Sequence, residues 1–137
     1  MKIYTEEIIL RTNKRIEFVN ITDLVKNVVN KSGIVDGIIL INPMHITSSI
    51  FINDNENGLI NDFENWLDKL APRDFDYKHH ITGEDNGFSH LWRTIMGRET
   101  TVAITDGKMH FGTWESIFYG EFDGQRNKKI LLKVLGN

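Results

Sequence analysis

Cysteine is absent from the 137-residue chain, which rules out disulfides, thiolate zinc sites and thiol nucleophiles and leaves only nitrogen and oxygen to hold a metal. No stretch approaches the roughly 20 consecutive apolar residues of a membrane-spanning helix. Glu6 and Glu7 stand where a signal peptide would place its apolar segment, so no export signal is expected and the cytoplasm is the default compartment. The net charge is -3 and no Lys/Arg run is sustained, so phosphate-backbone neutralisation, and with it nucleic-acid binding, is not expected. The one basic cluster, Arg126-Asn127-Lys128-Lys129, reads as a solvated hairpin end. No P-loop glycine run and no Gly-x-Ser-x-Gly elbow occur. What is present, 40% hydrophobic and 26% charged residues, is the composition of a soluble globular protein. The length fits one domain over residues 1–137.

Periodicity supplies the elements. Ile3 to Leu10 and Arg15 to Val19 read as strands joined at Thr12-Asn13-Lys14, a polar link suited to a hairpin. Ile21, Leu24, Val25, Val28 and Val29 recur with helical spacing, with Thr22 as N-cap and Gly33 as a left-handed stop. Gly37 to Ile41 is a continuous β-branched run, expected to lie centrally and to be covered on both faces. His45 to Ile52 reads as a further strand, with His45, Thr47, Ser49 and Phe51 on one face. Leu59, Ile60, Phe63, Trp66, Leu67 and Leu70 mark an amphipathic helix ended by Ala71-Pro72. Asp54-Asn55-Glu56-Asn57-Gly58 before it matches a calcium loop in composition only and is explained by the helix cap. Arg73 to Glu84 lacks periodicity, and a third helix follows from about Asp85 to Met96 with Phe88, Leu91, Trp92, Ile95 and Met96 as its apolar stripe. Asp106-Gly107 and Asp123-Gly124 are two-residue hairpin signals. The order β-β-α-β-β-α-α-β-β-β-β predicts an α+β protein with a mostly antiparallel, sandwich-like sheet and about three helices.

Chemistry concentrates in the middle of the chain, where four of the five histidines fall. His90 points away from the stripe of its helix, with Asn86 one turn earlier, Asp85 at the helix start and His79 in the preceding loop. An isolated histidine of this kind is more often solvated, but this company raises a shared site to an even alternative. Imidazole and carboxylate together suit zinc, manganese or magnesium, so His45, His79 and His90 are the candidate ligands of a divalent metal. A neutral histidine would serve equally as general base. Glu84, Asp85 and Glu115 are candidate acids or bases. Thr47, Ser48 and Ser49 offer hydroxyls, Asn86 an amide and Arg93 or Arg98 a guanidinium for a small, phosphorylated ligand. Trp114 offers a stacking face, although core packing is the commoner fate of tryptophan.

Taken together, Asn42-Pro43-Met44-His45-Ile46-Thr47-Ser48-Ser49, Asn53-Asp54-Asn55-Glu56, Gly83-Glu84-Asp85-Asn86 with His90, Asp106-Gly107-Lys108 and Gly112-Thr113-Trp114-Glu115 resemble the YjbQ-like family, also described as secondary thiamine-phosphate synthases. The resemblance covers essentially the whole chain and implies a small α+β domain that assembles as a homotrimer. It also implies a weak, auxiliary activity: joining an aminopyrimidine diphosphate to a thiazole phosphate with loss of diphosphate. The family's recurrent histidines match His45, His79 and His90, and its acid and amide match Asp85 and Asn86. Three positions depart from the pattern: His80 where asparagine is frequent, Gly87-Phe88-Ser89 before His90, and Glu115 where many relatives carry glutamine. The residues by themselves do not distinguish a synthase from a metal-dependent hydrolase of a small metabolite, phosphorylated or not; a non-catalytic trimeric protein that captures a metabolite between subunits is the third alternative.

Overall fold

Strands that alternate apolar and polar residues must bury one face each, and here two antiparallel sheets bury theirs against one another. The computed structural model describes residues 1–137. In chain order its elements are β1 (Lys2–Leu10), β2 (Glu17–Asn20), α1 (Thr22–Ser32), β3 (Gly37–Pro43), β4 (Ser48–Asn53), α2 (Asn57–Leu70), a 3-10 turn (Lys78–Thr82), α3 (Gly87–Met96), β5 (Thr100–Thr105), β6 (Lys108–Met109), β7 (Ser116–Glu121) and β8 (Lys128–Gly136). One sheet has the order β1-β8-β3-β5-β6 and the other β2-β7-β4. The α+β class and the three helices agree with the sequence reading.

The inward faces of both sheets form the main core, with Ile39 and Ile41 from β3, Ile130, Leu132 and Val134 from β8, and Ile117 and Tyr119 from β7. Helix α1 adds Val25, Val28 and Val29 to the same core. Its stop is Gly33 at φ 67, the left-handed conformation that glycine adopts without a Cβ clash. The opposite face of the three-stranded sheet carries a second core, where Leu67 and Ala71 at the end of α2 meet Phe88 and Trp92 of α3 and Phe122 after β7. Edge-to-face aromatics bind it, including Trp92 with Phe122 at 5.5 Å and Phe18 with Phe51 at 5.8 Å between ring centroids. Strand β7 is therefore buried on both sides.

Several expectations are corrected. The β1–β2 link is not a hairpin, because β1 pairs with β8 and β2 with β7. The Asp123-Gly124 link is not one either: β7 and β8 lie in different sheets, and the left-handed residue there is Gln125 at φ 66. Both links carry the chain between sheets and are tied together by Thr12, whose hydroxyl donates to the Lys14 carbonyl at 2.8 Å and accepts from the Gln125 amide at 3.3 Å. The Asp106-Gly107 hairpin does form, with both residues at positive φ and Ile104 opposite Met109.

Strand β3 is the middle strand of its sheet, but only one of its faces is fully buried, since Ile38 on the other is 44% exposed. Thr22 is the first residue of α1 and not its cap; its hydroxyl accepts from the Ile117 amide at 2.9 Å. In α3 the buried side is Phe88, Ser89 and Trp92, while Leu91 and Ile95 face outward. The Ser89 hydroxyl explains that rotation, because it donates to the Phe122 carbonyl at 2.6 Å and pins this side of the helix against the end of β7. In α2 Glu56 is the N-cap, accepting from the Leu59 amide at 3.0 Å.

Candidate functional site

Three segments meet at one end of the three-stranded sheet: the turn between β3 and β4, the start of α3 with the 3-10 turn before it, and the connection from β7 to β8. His45 lies in the first of these and not in a strand, contrary to the sequence reading. Its Nδ1 accepts from the Thr47 amide at 3.3 Å and lies 2.9 Å from the Thr47 hydroxyl. This local bond competes with the strand ladder, so β4 begins only at Ser48. The Ser48 hydroxyl donates to the His45 carbonyl at 3.2 Å. Thr47, Ser48 and Ser49 are all fully buried, and Ser49 Oγ has no hydrogen-bond partner.

Beneath this turn lies a cluster that sequence reasoning missed, and it corrects the reading of Lys128 as part of a solvated hairpin end, since Lys128 is buried. Lys128 Nζ donates to Glu121 Oε2 at 2.6 Å and to the Asp123 carbonyl at 2.6 Å, and both side chains of the ion pair are 1% exposed. A longer bond of 3.5 Å runs from Lys128 Nζ to the Thr47 hydroxyl. The Tyr119 hydroxyl donates to Glu121 Oε1 at 2.8 Å. Burial, opposed by Glu121, lowers the Lys128 pKa, and burial with the Glu121 charge raises that of Tyr119. The signal was present as parity: Lys128 falls on the same face as Ile130, Leu132 and Val134, and Glu121 on that of Ile117 and Tyr119. A charged residue at an inward strand position is worth pursuing.

Asp123 organises the next layer. It accepts from Asn86 Nδ2 at 2.9 Å, Arg15 Nε at 3.1 Å and Arg126 at 3.1 Å. Burial works against its ionisation, yet the Asn86 bond and the Arg15 and Arg126 charges hold its carboxyl below the ordinary range. Asn86 is buried at the N-terminus of α3, and its Oδ1 has no partner. Asp85 beside it is exposed and gripped by both terminal nitrogens of Arg15 at 2.8 and 3.3 Å. His79 and His90 meet edge to face with ring centroids 4.5 Å apart. Burial and then the neighbouring His79 lower the His90 pKa, while burial and then Lys128 lower that of His45. In both histidines the Asp123 carboxylate opposes this lowering.

The three histidines do not form a three-imidazole metal centre within the chain. No group of three or more His, Asp or Glu side chains is placed to hold an ion. His79 and His90 come together, but His45 Nδ1 is engaged by the Thr47 amide. His80 is likewise occupied, its Nε2 accepting from the Gly87 amide at 3.1 Å.

Arg93 lies on the α3 side of the turn. It donates to the Ile46 carbonyl at 3.1 Å and has no carboxylate within salt-bridge reach. With Arg98, His45, Pro43, Met44 and Ile46 it lines an open cleft of about 230 Å³. A larger cleft of about 500 Å³ lies beyond the Arg15–Asp85 pair. Its two arginines are each committed to two carboxylates, Arg15 to Asp85 and Asp123, and Arg73 to Glu64 and Asp68. In the smaller cleft Arg98 pairs with Glu99 at 3.5 Å, and Arg93 is the guanidinium left without a carboxylate. Glu84 is exposed in the link between the 3-10 turn and α3. Glu115 lies on the separate loop after β6 and accepts from the Gly112 amide at 2.6 Å. On the same loop Trp114 is 78% exposed and holds φ 69, a strained conformation for a non-glycine residue. Neither Trp114 nor Glu115 contacts the imidazoles of its own chain.

Fold and site together define an α+β sandwich with an imidazole and guanidinium cluster at one end of its smaller sheet. The chain belongs to the family described as UPF0047 protein YjbQ-like, which matches residues 6–137. It is 43% identical to a UPF0047 protein of Methanothermobacter thermautotrophicus over 99% of this chain and 94% of that one. A UPF0047 protein of Archaeoglobus fulgidus is 36% identical over 94% of this chain and 99% of that one. Among solved structures, a YbjQ-like protein of unknown function from Sulfolobus solfataricus P2 superposes with a TM-score of 0.94 at 36% identity, covering 99% of each chain. A YjbQ/UPF0047 protein from Clostridium acetobutylicum gives 0.89 at 35% identity, covering 95% of this chain and 99% of that one. No helix is long and apolar enough to cross a membrane.

Proposed function

We propose that the chain handles a small phosphorylated metabolite, in a reaction of the thiamine-phosphate-synthase type, with the phosphate or diphosphate group seated in the Arg93–Arg98–His45 cleft. The observation that carries this reading is the Arg93 guanidinium, pinned by the Ile46 carbonyl and left without a carboxylate. A positioned guanidinium with open donors suits phosphate oxygens, and Arg98 and His45 supply further donors beside it. A cleft of about 230 Å³ accommodates a diphosphate and not two ring substrates. The rings therefore need walls from outside this chain. An exposed, strained Trp114 is suited to provide a stacking face to a neighbouring copy. Where a divalent ion takes part, the His79–His90 pair supplies nitrogen donors for it.

Assembly as a homotrimer, which the family resemblance implies, draws support from the outer face of the five-stranded sheet. There the registers align Ile3, Leu135, Ile38 and Ala103 in one row across four strands, exposed at all but the half-buried Leu135. Calorimetric titration with inorganic diphosphate tests the cleft: wild type binds, and Arg93→Gln binds about tenfold more weakly for loss of a charge-assisted bond. Incubation with an aminopyrimidine diphosphate, a thiazole phosphate and divalent metal tests the reaction. Diphosphate binding without product would retire the synthase and leave a phosphate-binding protein.

A further inference from the structure

We infer that His45 presents a neutral Nε2–H to the anion cleft as a hydrogen-bond donor, held in that tautomer by Thr47 and, behind it, by the buried Lys128–Glu121 pair. The inference rests on the cleft reading above and assigns His45 a part distinct from metal ligand or general base. Each bond in the chain has a forced direction. A backbone amide only donates, so the Thr47 N–H at 3.3 Å claims the Nδ1 lone pair. A lysine ammonium also only donates, so Lys128 Nζ, 3.5 Å from the Thr47 hydroxyl, directs that hydroxyl's own proton toward Nδ1 at 2.9 Å. Lys128 cannot turn away, since Glu121 and the Asp123 carbonyl each hold it at 2.6 Å.

With two donors on Nδ1, the ring proton resides on Nε2. The lone pair that a metal or a base would need on that nitrogen is then absent. A neutral N–H fixed from behind is suited to a developing phosphate charge, because it donates without reorganising and without surrendering its proton. Thr47 and Lys128 are positioning residues here, since they act through His45. The arrangement gives an otherwise costly buried ion pair a role in the site.

The test reads the tautomer directly in the full-length protein without ligand. Histidine is labelled with 15N, two-bond proton–nitrogen spectra are recorded at neutral pH, and the His45 signals are assigned by their loss in His45→Gln. The expected pattern is a pyrrole-type Nε2 and a pyridine-type Nδ1; the reverse pattern, or a doubly protonated ring, overturns the inference. In Thr47→Val the backbone amide remains, so Nδ1 stays pyridine-type but moves toward the position of an unbonded nitrogen as the hydroxyl bond is lost, whereas an unmoved signal removes the hydroxyl and Lys128 from the relay and overturns their part in it. Where Lys128→Met folds, its Nδ1 signal moves in the same direction as that of Thr47→Val, and an unmoved signal removes Lys128 from the relay. With inorganic diphosphate as probe, His45→Ala binds about tenfold more weakly and His45→Gln, which keeps an N–H at the same reach, stays within about twofold of wild type. Equal losses in both variants would overturn the donor role. If wild type fails to bind diphosphate, the cleft reading fails, and the spectrum alone then decides the tautomer.

Discussion

Replacing Lys128 by methionine removes an ammonium from a site where it and Glu121 are both 1% exposed. The variant strands a carboxylate in the core with only the Tyr119 hydroxyl at 2.8 Å and the Asp123 amide at 3.3 Å as donors. Breaking a buried ion pair from one side costs about 3–5 kcal/mol, a large part of the roughly 5–15 kcal/mol by which a domain is stable. Glu121→Gln leaves the lysine charge, but the new amide still accepts from Tyr119, so its loss falls near the lower end, about 3 kcal/mol. In the double variant no charge is stranded. What remains is the Asp123 carbonyl without its donor and imperfect pairing around Tyr119, together about 2 kcal/mol. The single losses sum to about 7 kcal/mol, so the cycle yields a coupling of several kcal/mol, and at least about 2 kcal/mol after allowance for relaxation. Urea unfolding followed by tryptophan fluorescence measures all four proteins, with an unchanged denaturant slope as the check for two-state behaviour. A double-variant loss within about 0.5 kcal/mol of the summed single losses would refute the coupled pair.

Further outcomes are expected elsewhere in the molecule. His45 and His90 both have pKa values below 6.5 in the folded protein, each mainly through burial, so the unfolded chain binds the extra protons. Their stabilising preference for the neutral form is therefore complete above pH 6.5 and lost as pH falls through the lower folded values. Thermal melts of wild type between pH 8 and 5 should show this decline and His45→Gln/His90→Gln a shallower one; parallel curves would argue against it. Gly37→Ala should destabilise by about 3 kcal/mol or more, because a Cβ there would clash with the Leu135 carbonyl oxygen of the neighbouring strand; an unchanged urea midpoint would contradict the close approach. Ile38→Glu puts a charge in the middle of the apolar row, and sedimentation should show a smaller species than wild type; an identical profile would place the subunit contact elsewhere.

What could be read from the sequence was local. The Asp106-Gly107 turn, the Gly33 stop and the order of elements each depend on residues within a few positions of one another, and each is found. The partition into sheets is not local. Leu10 pairs with Lys128 and Glu17 with Glu121, so two links that resemble hairpins instead cross between layers. For the site, clustering of polar residues identified the His45 turn, the His79–His90 region and Asn86. It missed Glu121 and Asp123 and took Lys128 for a solvated residue, because these three lie far from the histidines in the chain and reach the site only through the β7–β8 crossing. The metal expectation from His45, His79 and His90 counted histidines without asking which ring nitrogen was free. That answer depends on one Thr47 amide.

The position of β8 bears on how the molecule is made. It follows every other strand in chain order, yet it lies between β1 and β3 and pairs with both over most of its length. During synthesis the first and third strands must wait, each with an unsatisfied edge, until the last one slots between them. Such a late keystone makes assembly slow and highly cooperative. A stalled or clipped chain lacking it would display two sticky ribbons, a form that quality-control machinery is well placed to notice.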